Sequence, residues 1–259
     1  MRIHVVSDVH GSADALARAG EGADVFICLG DLILFLDYAK PALGIFGSLF
    51  GAANTQRYID LRTAGQFDEA RTYSATLWDE AIAAEGTDRG SLIRSRVRAQ
   101  YSELFASMPT PAFLTYGNVD LPHMWPEFLQ PGHTVLDGEV VEIGGLRFGF
   151  VGGGLISPMH TPYELDEDTF DAKVAALGEV DVLCSHIPPA LPELTYDVVA
   201  RRFEHGSAAL LELIRRTQPR YSLFGHVHQP LAARARIGRT ECVNVGHFRA
   251  GETPFALTW

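Results

Sequence analysis

The side chains of this 259-residue chain that could do chemistry fall in five short clusters, each directly after an apolar run. Asp8-Val9-His10-Gly11 follows Arg2 to Ser7, and Gly30-Asp31 follows Asp24 to Leu29. Gly117-Asn118-Val119-Asp120 follows Ala112 to Tyr116, Ser185-His186 follows Asp181 to Cys184, and Gly225-His226-Val227-His228 follows Tyr221 to Phe224. Singly, an Asp after Gly reads as a turn former or helix cap, and a His after a strand as a hydrogen-bonded turn residue. Jointly, they place carboxylates, imidazoles and one carboxamide at the carboxyl ends of strands, where open α/β sheets bind ligands. Crowding such groups on one sheet edge costs free energy unless a cation gathers them. Three or more imidazoles with carboxylates and an amide, and no thiolate, suit Mn, Fe or Zn better than Ca or Mg.

The elements that must position these residues read as an α/β fold. Arg2 to Ser7, a short helix capped by Ser12 and running through Arg18, and Asp24 to Leu29 have the rhythm of a βαβ unit with parallel pairing. Ala112 to Tyr116 reads as a third strand, and Gly144-Gly145 joins Glu139–Ile143 to Leu146–Val151 as a hairpin. Asp181 to Cys184 and Tyr221 to Phe224 are further core strands, each preceded by helical sequence. Between them, Ser207 to Thr217 sets Leu210, Leu211 and Ile214 on one face, with Arg215-Arg216 at the end that suits the helix dipole. Leu231 to Ile237, Glu241 to Val245 and Phe255 to Thr258 read as antiparallel strands. The interval from Asp31 to Gly117 is far longer than an ordinary connection. Gln66 to Glu85 and Ser91 to Ser107 are helical within it. Residues 32–108 are expected to form a helical insertion subdomain in a single domain spanning residues 1–259.

Acidic residues outnumber basic ones 32 to 21, for a formal charge of −11. That speaks against a stable nucleic-acid partner, which needs a positive surface. A small phosphorylated substrate stays open, because a bound cation inverts the local field. Residues 32–107 are close to neutral, with 8 basic and 9 acidic side chains. Arg89, Arg94, Arg96 and Arg98 cluster there as a surface that could steer an anion. Cys28, Cys184 and Cys242 are widely separated, odd in number and set in or beside apolar runs, as expected of reduced, buried thiols in a cytoplasmic protein. No signal peptide is expected at the start. The least charged stretch, Leu32 to Ala53, is interrupted by Asp37, Lys40 and Pro41, so no membrane span is expected. Gly152-Gly153-Gly154 lacks the spacing of a nucleotide loop and reads as a tight turn under the sheet edge. Glu164 to Asp171 reads as a loop and helix start, and Arg201-Arg202 and Arg215-Arg216 as solvated helix faces. The apolar segments Ile33 to Leu36 and Phe46 to Phe50 pack the insertion onto the sheet, form a homodimer face or line a pocket, in that order.

In combination, Asp-x-His, Gly-Asp, Gly-Asn-x-Asp, a late His and Gly-His-x-His resemble the calcineurin-like metallophosphoesterase superfamily. The resemblance runs from Asp8 to Asn244-Val245-Gly246, the helical insertion apart. It implies a four-layered α/β/β/α sandwich and two divalent or trivalent metal ions, Mn first, with Fe or Zn as alternatives. It implies Asp8, His10, Asp31 and His228 around one ion, with Asp31 bridging to a second held by Asn118, His186 and His226. A strand-like alternation would not aim both rings of His226 and His228 one way, so a tight turn after Gly225 is implied as well. The implied reaction is attack of a metal-bridging hydroxide on a small phosphoester, with Asp31, Asn118 and His226 acting through that hydroxide. One position departs from the family: Val119 stands where many members have a His that assists the leaving group. Such assistance typically contributes about 10²–10⁴-fold. The expectation is therefore a phosphodiester with a good leaving group, or a substitute imidazole at His123 or His160. A phosphomonoesterase or protein phosphatase is the alternative within enzymes, and a non-catalytic metal-binding scaffold the alternative outside them. The presence of all seven implied ligand positions counts against the scaffold.

Overall fold

The computed structural model describes residues 1–259. They form two compact units, one of residues 1–32 and 104–259, the other of residues 33–103. The first unit opens with β1 (Arg2–Val6), α1 (Ala13–Ala19) and β2 (Val25–Cys28), and β1 pairs parallel to β2 with Ile3 opposite Val25. Ser12 occupies the N-cap of α1, but its side chain makes no capping bond, which corrects the expectation that it caps the helix. The Ser12 N–H is instead bound to the Val9 carbonyl in the turn that carries His10. The second unit comprises α2 (Gly44–Thr63, broken at Gly51), α3 (Phe67–Glu85) and most of α4 (Arg89–Ser107). Its interior is aromatic. Phe46 stacks on Tyr58 at 4.7 Å between ring centroids, and Phe50 meets Phe46 at 4.6 Å and Trp78 at 4.8 Å. Phe46 and Phe50 thus pack inside their own helical unit, a use that none of the three sequence expectations named. The arginine cluster is also partly committed there: Arg89 lies over the Trp78 ring at 4.4 Å, and Arg94 bonds Ser91 Oγ at 2.9 Å.

After α4 the chain returns to the first unit through β3 (Ala112–Leu114), shorter than expected, although the Thr115 N–H still bonds the Cys28 carbonyl of β2 at 2.9 Å. Then follow β4 (His133–Val135), β5 (Glu139–Ile143) and β6 (Leu146–Val151), with Gly144 and Gly145 at φ 57° and 78° making the predicted hairpin turn. The short strands β7 (Gly154–Leu155) and β8 (Glu164–Leu165) pair with each other. The acidic stretch becomes α5 (Glu167–Leu177), capped by the Asp166 carboxylate on the Thr169 N–H. Next come β9 (Val182–Ser185), the turn α6 (Pro192–Thr195) and the paired strands β10 (Tyr196–Asp197) and β11 (Arg202–Phe203). Arg201-Arg202 therefore sits at a small hairpin and not on a helix, because Asp197 ties the chain into a turn by accepting from the Val199 and Ala200 N–H groups. The unit closes with α7 (Ala208–Thr217), β12 (Tyr221–Phe224), β13 (Arg234–Ile237), β14 (Thr240–Asn244), the turn α8 (Phe248–Gly251) and β15 (Phe255–Thr258). The β13 strand starts three residues later than expected, since Leu231 and Ala232 donate their N–H groups to Tyr196 and Glu193 instead.

These strands make two main sheets, ordered β15-β1-β2-β3-β4 and β13-β14-β12-β9-β6-β5. Every strand that precedes a chemistry-bearing cluster lies in a parallel pairing. The tail strands are antiparallel as expected where β13 meets β14 and β15 meets β1, but β14 runs parallel to β12. The inner faces of both sheets pack on each other through Ile3, Val5, Ile27, Phe148, Phe150, Cys184 and Leu223. The outer face of the second sheet is covered by Phe170, Val174 and Leu177 of α5 and Leu210, Leu213 and Ile214 of α7. On the first sheet the buried Leu16 and Ala19 belong to α1, where Ala19 O is bonded by His4 Nδ1 at 2.8 Å. The result is the α/β/β/α layering implied by the motifs. Two sheets that share one core hold each other's edges in place. Phe150 is fully buried between them, so Phe150→Ala is expected to cost about 3–5 kcal/mol in urea unfolding. Val199→Ala, at a side chain 74% exposed, should change stability by less than about 0.5 kcal/mol.

Candidate metal centre

The loops that leave β2 and β3 touch backbone to backbone. A Cβ on Gly30 would overlap the Tyr116–Gly117 peptide, and one on Gly117 would overlap Asp31, so both positions need glycine. The carboxylate of Asp120, fully buried, accepts from the N–H groups of Asp31 at 2.8 Å, Leu32 at 3.0 Å and Gly117 at 2.8 Å. This clamp brings Asp31 and Asn118 face to face, and Val119 N–H adds a bond to Asp31 Oδ1 at 3.0 Å. Burial, then the neighbouring Asp31 charge, push the Asp120 carboxyl up to about 7 against the pull of its N–H donors.

Asp31 Oδ1 faces one set of donor atoms. His186 Nε2 lies 3.5 Å from it and 2.9 Å from Asn118 Oδ1, and His226 Nδ1 lies 3.0 Å from the same Asn118 oxygen. His186 Nδ1 lies 3.0 Å from the Leu29 carbonyl, which can only accept, so the tautomer leaves the Nε2 lone pair turned inward. The Asn118 amide is oriented in the same sense, because its Nδ2 donates to Thr161 Oγ1 at 3.0 Å. Gly152-Gly153-Gly154 passes beneath: a Cβ on Gly154 would stand 2.8 Å from Asn118 Cβ, and one on Gly152 2.6 Å from Thr115 Oγ1. The glycine run is thus a close-packed floor to the edge.

Asp31 Oδ2 faces a second set. His10 Nε2 stands 3.9 Å from Asp31 Oδ2, 3.9 Å from Asp8 Oδ1 and 3.3 Å from His228 Nε2. Asp8 Oδ1 is buried without hydrogen-bond geometry to any partner, although His228 Nε2 is only 3.3 Å away. Asp8, His10 and Asp31 can each offer one ligand atom within 4.8 Å of one another. The turn after Gly225 has the shape the motif implied. Val227 N–H bonds the Gly225 carbonyl at 2.8 Å around His226 at φ 68°, a γ-turn, while His226 N–H bonds Asp8 Oδ2 at 2.9 Å. Asp8, His10 and Asp31 share the left-handed backbone, at φ 57°, 42° and 57°. Such conformations cost about 1–2 kcal/mol per non-glycine residue and concentrate where function requires them.

The donor chemistry fits a pair of cations. Buried oxygen and nitrogen atoms with inward lone pairs converge in two groups that share one carboxylate, and no thiolate or ammonium intrudes. The electrostatics agree. Burial opposes charge at His186, yet the Asp31 carboxylate raises its imidazole to about 9. Burial and the His186 charge together depress His226 to about 4. The buried carboxylates of this pocket thus favour positive charge among them.

All seven implied ligand positions therefore come together. His123 is exposed on the 3₁₀ turn Pro122–Glu127. His160 is exposed too, one residue before the Thr161 that orients Asn118. Two residues of the site went unread in the sequence. Asp120 stands in a quoted motif without a role, because nothing in a sequence shows three N–H groups converging on it. His247 follows β14 and Gly246, the same strand-glycine-histidine pattern as Gly225-His226, and stacks on His228 with 3.9 Å between centroids.

A family model for calcineurin-like phosphoesterases matches residues 86–230, a span that holds Asn118, His186, His226 and His228. No curated protein matches the chain. Among solved structures it is similar to a Staphylococcus aureus protein described as a 5′-nucleotidase in complex with α-ketoglutarate. Identity is 15%, the match covers 95% of this chain and 48% of that one, and the TM-score is 0.48. It is similar also to the anchor protein of the Plasmodium inner membrane complex, at 11% identity, 95% and 71% coverage and a TM-score of 0.40. The chain spans about half the length of the first of these. No helix is long and apolar enough to cross a membrane.

The Asp120 clamp gives a direct test. Asp120→Ala leaves three buried N–H groups without acceptors, and should lower the unfolding free energy in urea by about 3 kcal/mol or more.

Proposed function

The chain belongs to the calcineurin-like phosphoesterases, and on that premise we propose that it hydrolyses a small phosphodiester with two bound metal ions, Mn²⁺ first among them. The observation that carries this reading is the Asp31 carboxylate, with one oxygen toward Asn118 and His186 and the other toward His10. Asp8, His10, Asp31 and His228 would hold one ion, and Asp31, Asn118, His186 and His226 the other. Bound there, the ions would supply hydroxide near neutral pH and neutralise charge on the phosphoryl oxygens. The protein's own part is to fix the donors. Leu29 O holds the His186 tautomer, Thr161 holds the Asn118 amide, and Asp120 holds the loop that bears Asp31.

Val119 supports a diester over a monoester, because its side chain has no proton to give a leaving oxygen. An aryl leaving group needs little such help, whereas an alkoxide leaving group would lose about 10²–10⁴-fold. If a substitute acid serves, the candidates are His123, three residues past Asp120, and His160, beside Thr161. The monoesterase reading is the alternative. A cytoplasmic location fits the three buried free thiols, Cys28, Cys184 and Cys242. For the helical unit we propose an insertion within one catalytic domain, with a homodimer formed through residues 32–108. Phe67 and Tyr38, 60% and 53% exposed, support that contact, which light scattering would detect as a doubled mass.

With Mn²⁺ added, nitrophenyl and nucleotidyl phosphodiesters should turn over faster than the matching monoesters, and chelation should abolish both. Asp31→Ala should lower every such activity by more than about 100-fold. Equal or faster monoester turnover would overturn the diester preference, and activity that survives both chelation and Asp31→Ala would overturn the metal-dependent reading. For a poor leaving group, loss of turnover in His123→Ala or His160→Ala identifies the substitute acid; no loss in either leaves Val119 uncompensated.

A further inference from the structure

Glu164, the first residue of β8, belongs to no motif that defines the proposed ligand set, yet it is joined to one member of it through a single hydroxyl. Glu164 Oε1 accepts from the Thr161 hydroxyl at 2.8 Å and from the Ser157 hydroxyl at 2.6 Å, and Oε2 accepts from the Ser157 N–H at 3.0 Å. Thr161 Oγ1 in turn accepts from Asn118 Nδ2 at 3.0 Å. A chain of hydrogen bonds thus runs from a carboxylate through a hydroxyl to the carboxamide whose oxygen faces His186 and His226. The backbone holds its two ends in register. The Tyr163 N–H bonds the Asn118 carbonyl at 2.9 Å, the Gly154 N–H bonds the Tyr163 carbonyl at 3.0 Å, and Gly154 pairs with Glu164 between β7 and β8.

The polarity of this chain runs one way. A hydroxyl has one proton to give, and an ionised carboxylate can only accept. Burial opposes charge on Glu164, but the bonds from Ser157 and Thr161 outweigh it and hold the carboxyl below the ordinary glutamate range. The Thr161 proton is therefore directed to Glu164, and only lone pairs remain for Asn118. Those lone pairs suit the amide nitrogen and repel the amide oxygen, so the oxygen is turned to the opposite side.

We propose that Glu164 is a positioning residue for the metal centre, holding the oxygen of the Asn118 carboxamide toward His186 and His226 through the Thr161 hydroxyl. For its effect on metal binding the inference rests on the two-metal reading above, and it adds a residue that never touches an ion. With its nitrogen fastened to Thr161, the amide presents only its oxygen inward. Polarisation along the chain, from carboxylate to hydroxyl to amide, also places more negative charge on that oxygen. Outer partners of this kind are typically worth about 10–100-fold in metal affinity.

Glu164→Gln keeps the shape and reverses the polarity. The Ser157 N–H can only donate, so the glutamine oxygen takes the Oε2 position and its NH₂ group faces the two hydroxyls. The Thr161 proton then turns on Asn118 Nδ2, donor against donor. In NMR spectra of the metal-free protein, the Asn118 side-chain amide protons should contact Thr161 in the unsubstituted chain and lose that contact in Glu164→Gln. In a Co²⁺ titration, the variant should weaken one of two binding steps by about tenfold or more. Thr161→Val removes the hydroxyl, so on that background Glu164→Gln should cost nothing further. An Asn118 contact or Co²⁺ affinity that Glu164→Gln leaves unchanged, or equal losses with and without Thr161→Val, would refute the positioning role. Fewer than two Co²⁺ per unsubstituted chain would overturn the two-metal reading instead, and the amide contact still decides the inference. Should Glu164→Gln fail to fold, the Thr161 hydroxyl proton of the unsubstituted protein decides. Slow exchange with water supports its commitment to Glu164, and exchange as fast as in a free threonine overturns it.

Discussion

The Asp120 carboxylate, sealed in the protein with three backbone N–H groups aimed at it, is the interaction on which the rest of the site depends. It ties the loop after one parallel strand to the loop after the next, at a place where neither loop tolerates a Cβ. Without it, Asp31 and Asn118 would sit on two independent turns. With it, one carboxylate is fixed so that its two oxygens address different neighbours. The Asp8 and Asp31 carboxylates are buried in the same region. They create a local demand for cations, and the clamp fixes the geometry that would receive them.

That demand explains why the edge is built against ordinary preferences. Asp8, His10, Asp31 and His226 all take left-handed backbone, and two carboxylates lie buried among imidazoles. At about 1–2 kcal/mol per strained residue, the four backbones alone cost several kcal/mol. An ion that binds only the folded chain contributes about 4 kcal/mol at a thousandfold excess over its dissociation constant. Terms of that size are commensurate, so ion binding and folding of this edge are expected to be strongly linked.

Most of this was legible in the sequence, for an identifiable reason. Short apolar runs ending in Asp, Asn or His are local signals, and each of the five runs is a strand whose next residues reach the edge. The Gly144-Gly145 hairpin and the helix Ala208–Thr217 with its Ser207 cap are equally local. What escaped reading depends on contacts between distant segments. Asp120 matters because residues 31 and 32 donate to it. The helix Gly44–Thr63 is broken at Gly51 and carries no clean apolar stripe, since Phe46 and Phe50 turn toward an aromatic core shared with Tyr58 and Trp78. His247 follows the pattern of the other clusters, but β14 is flanked by a short antiparallel strand, which disguises it as part of a meander.

The distribution of donors over the two sheets joins these points. The first sheet supplies the carboxylates and the carboxamide, Asp8, Asp31 and Asn118, together with His10, from the ends of β1, β2 and β3. The second supplies imidazoles only: His186 after β9, and His226 and His228 after β12. Hydrogen bonds cross between them, from His186 to Leu29 O and from the His226 N–H to Asp8 Oδ2. An oxygen-rich edge and a nitrogen-rich edge are thus pressed together by the core of Ile27, Phe150, Cys184 and Leu223. Neither edge alone has a balanced ligand set. The packing distance between the sheets sets the distance between the two kinds of donor, so the apolar core acts on the metal centre as directly as the residues that line it.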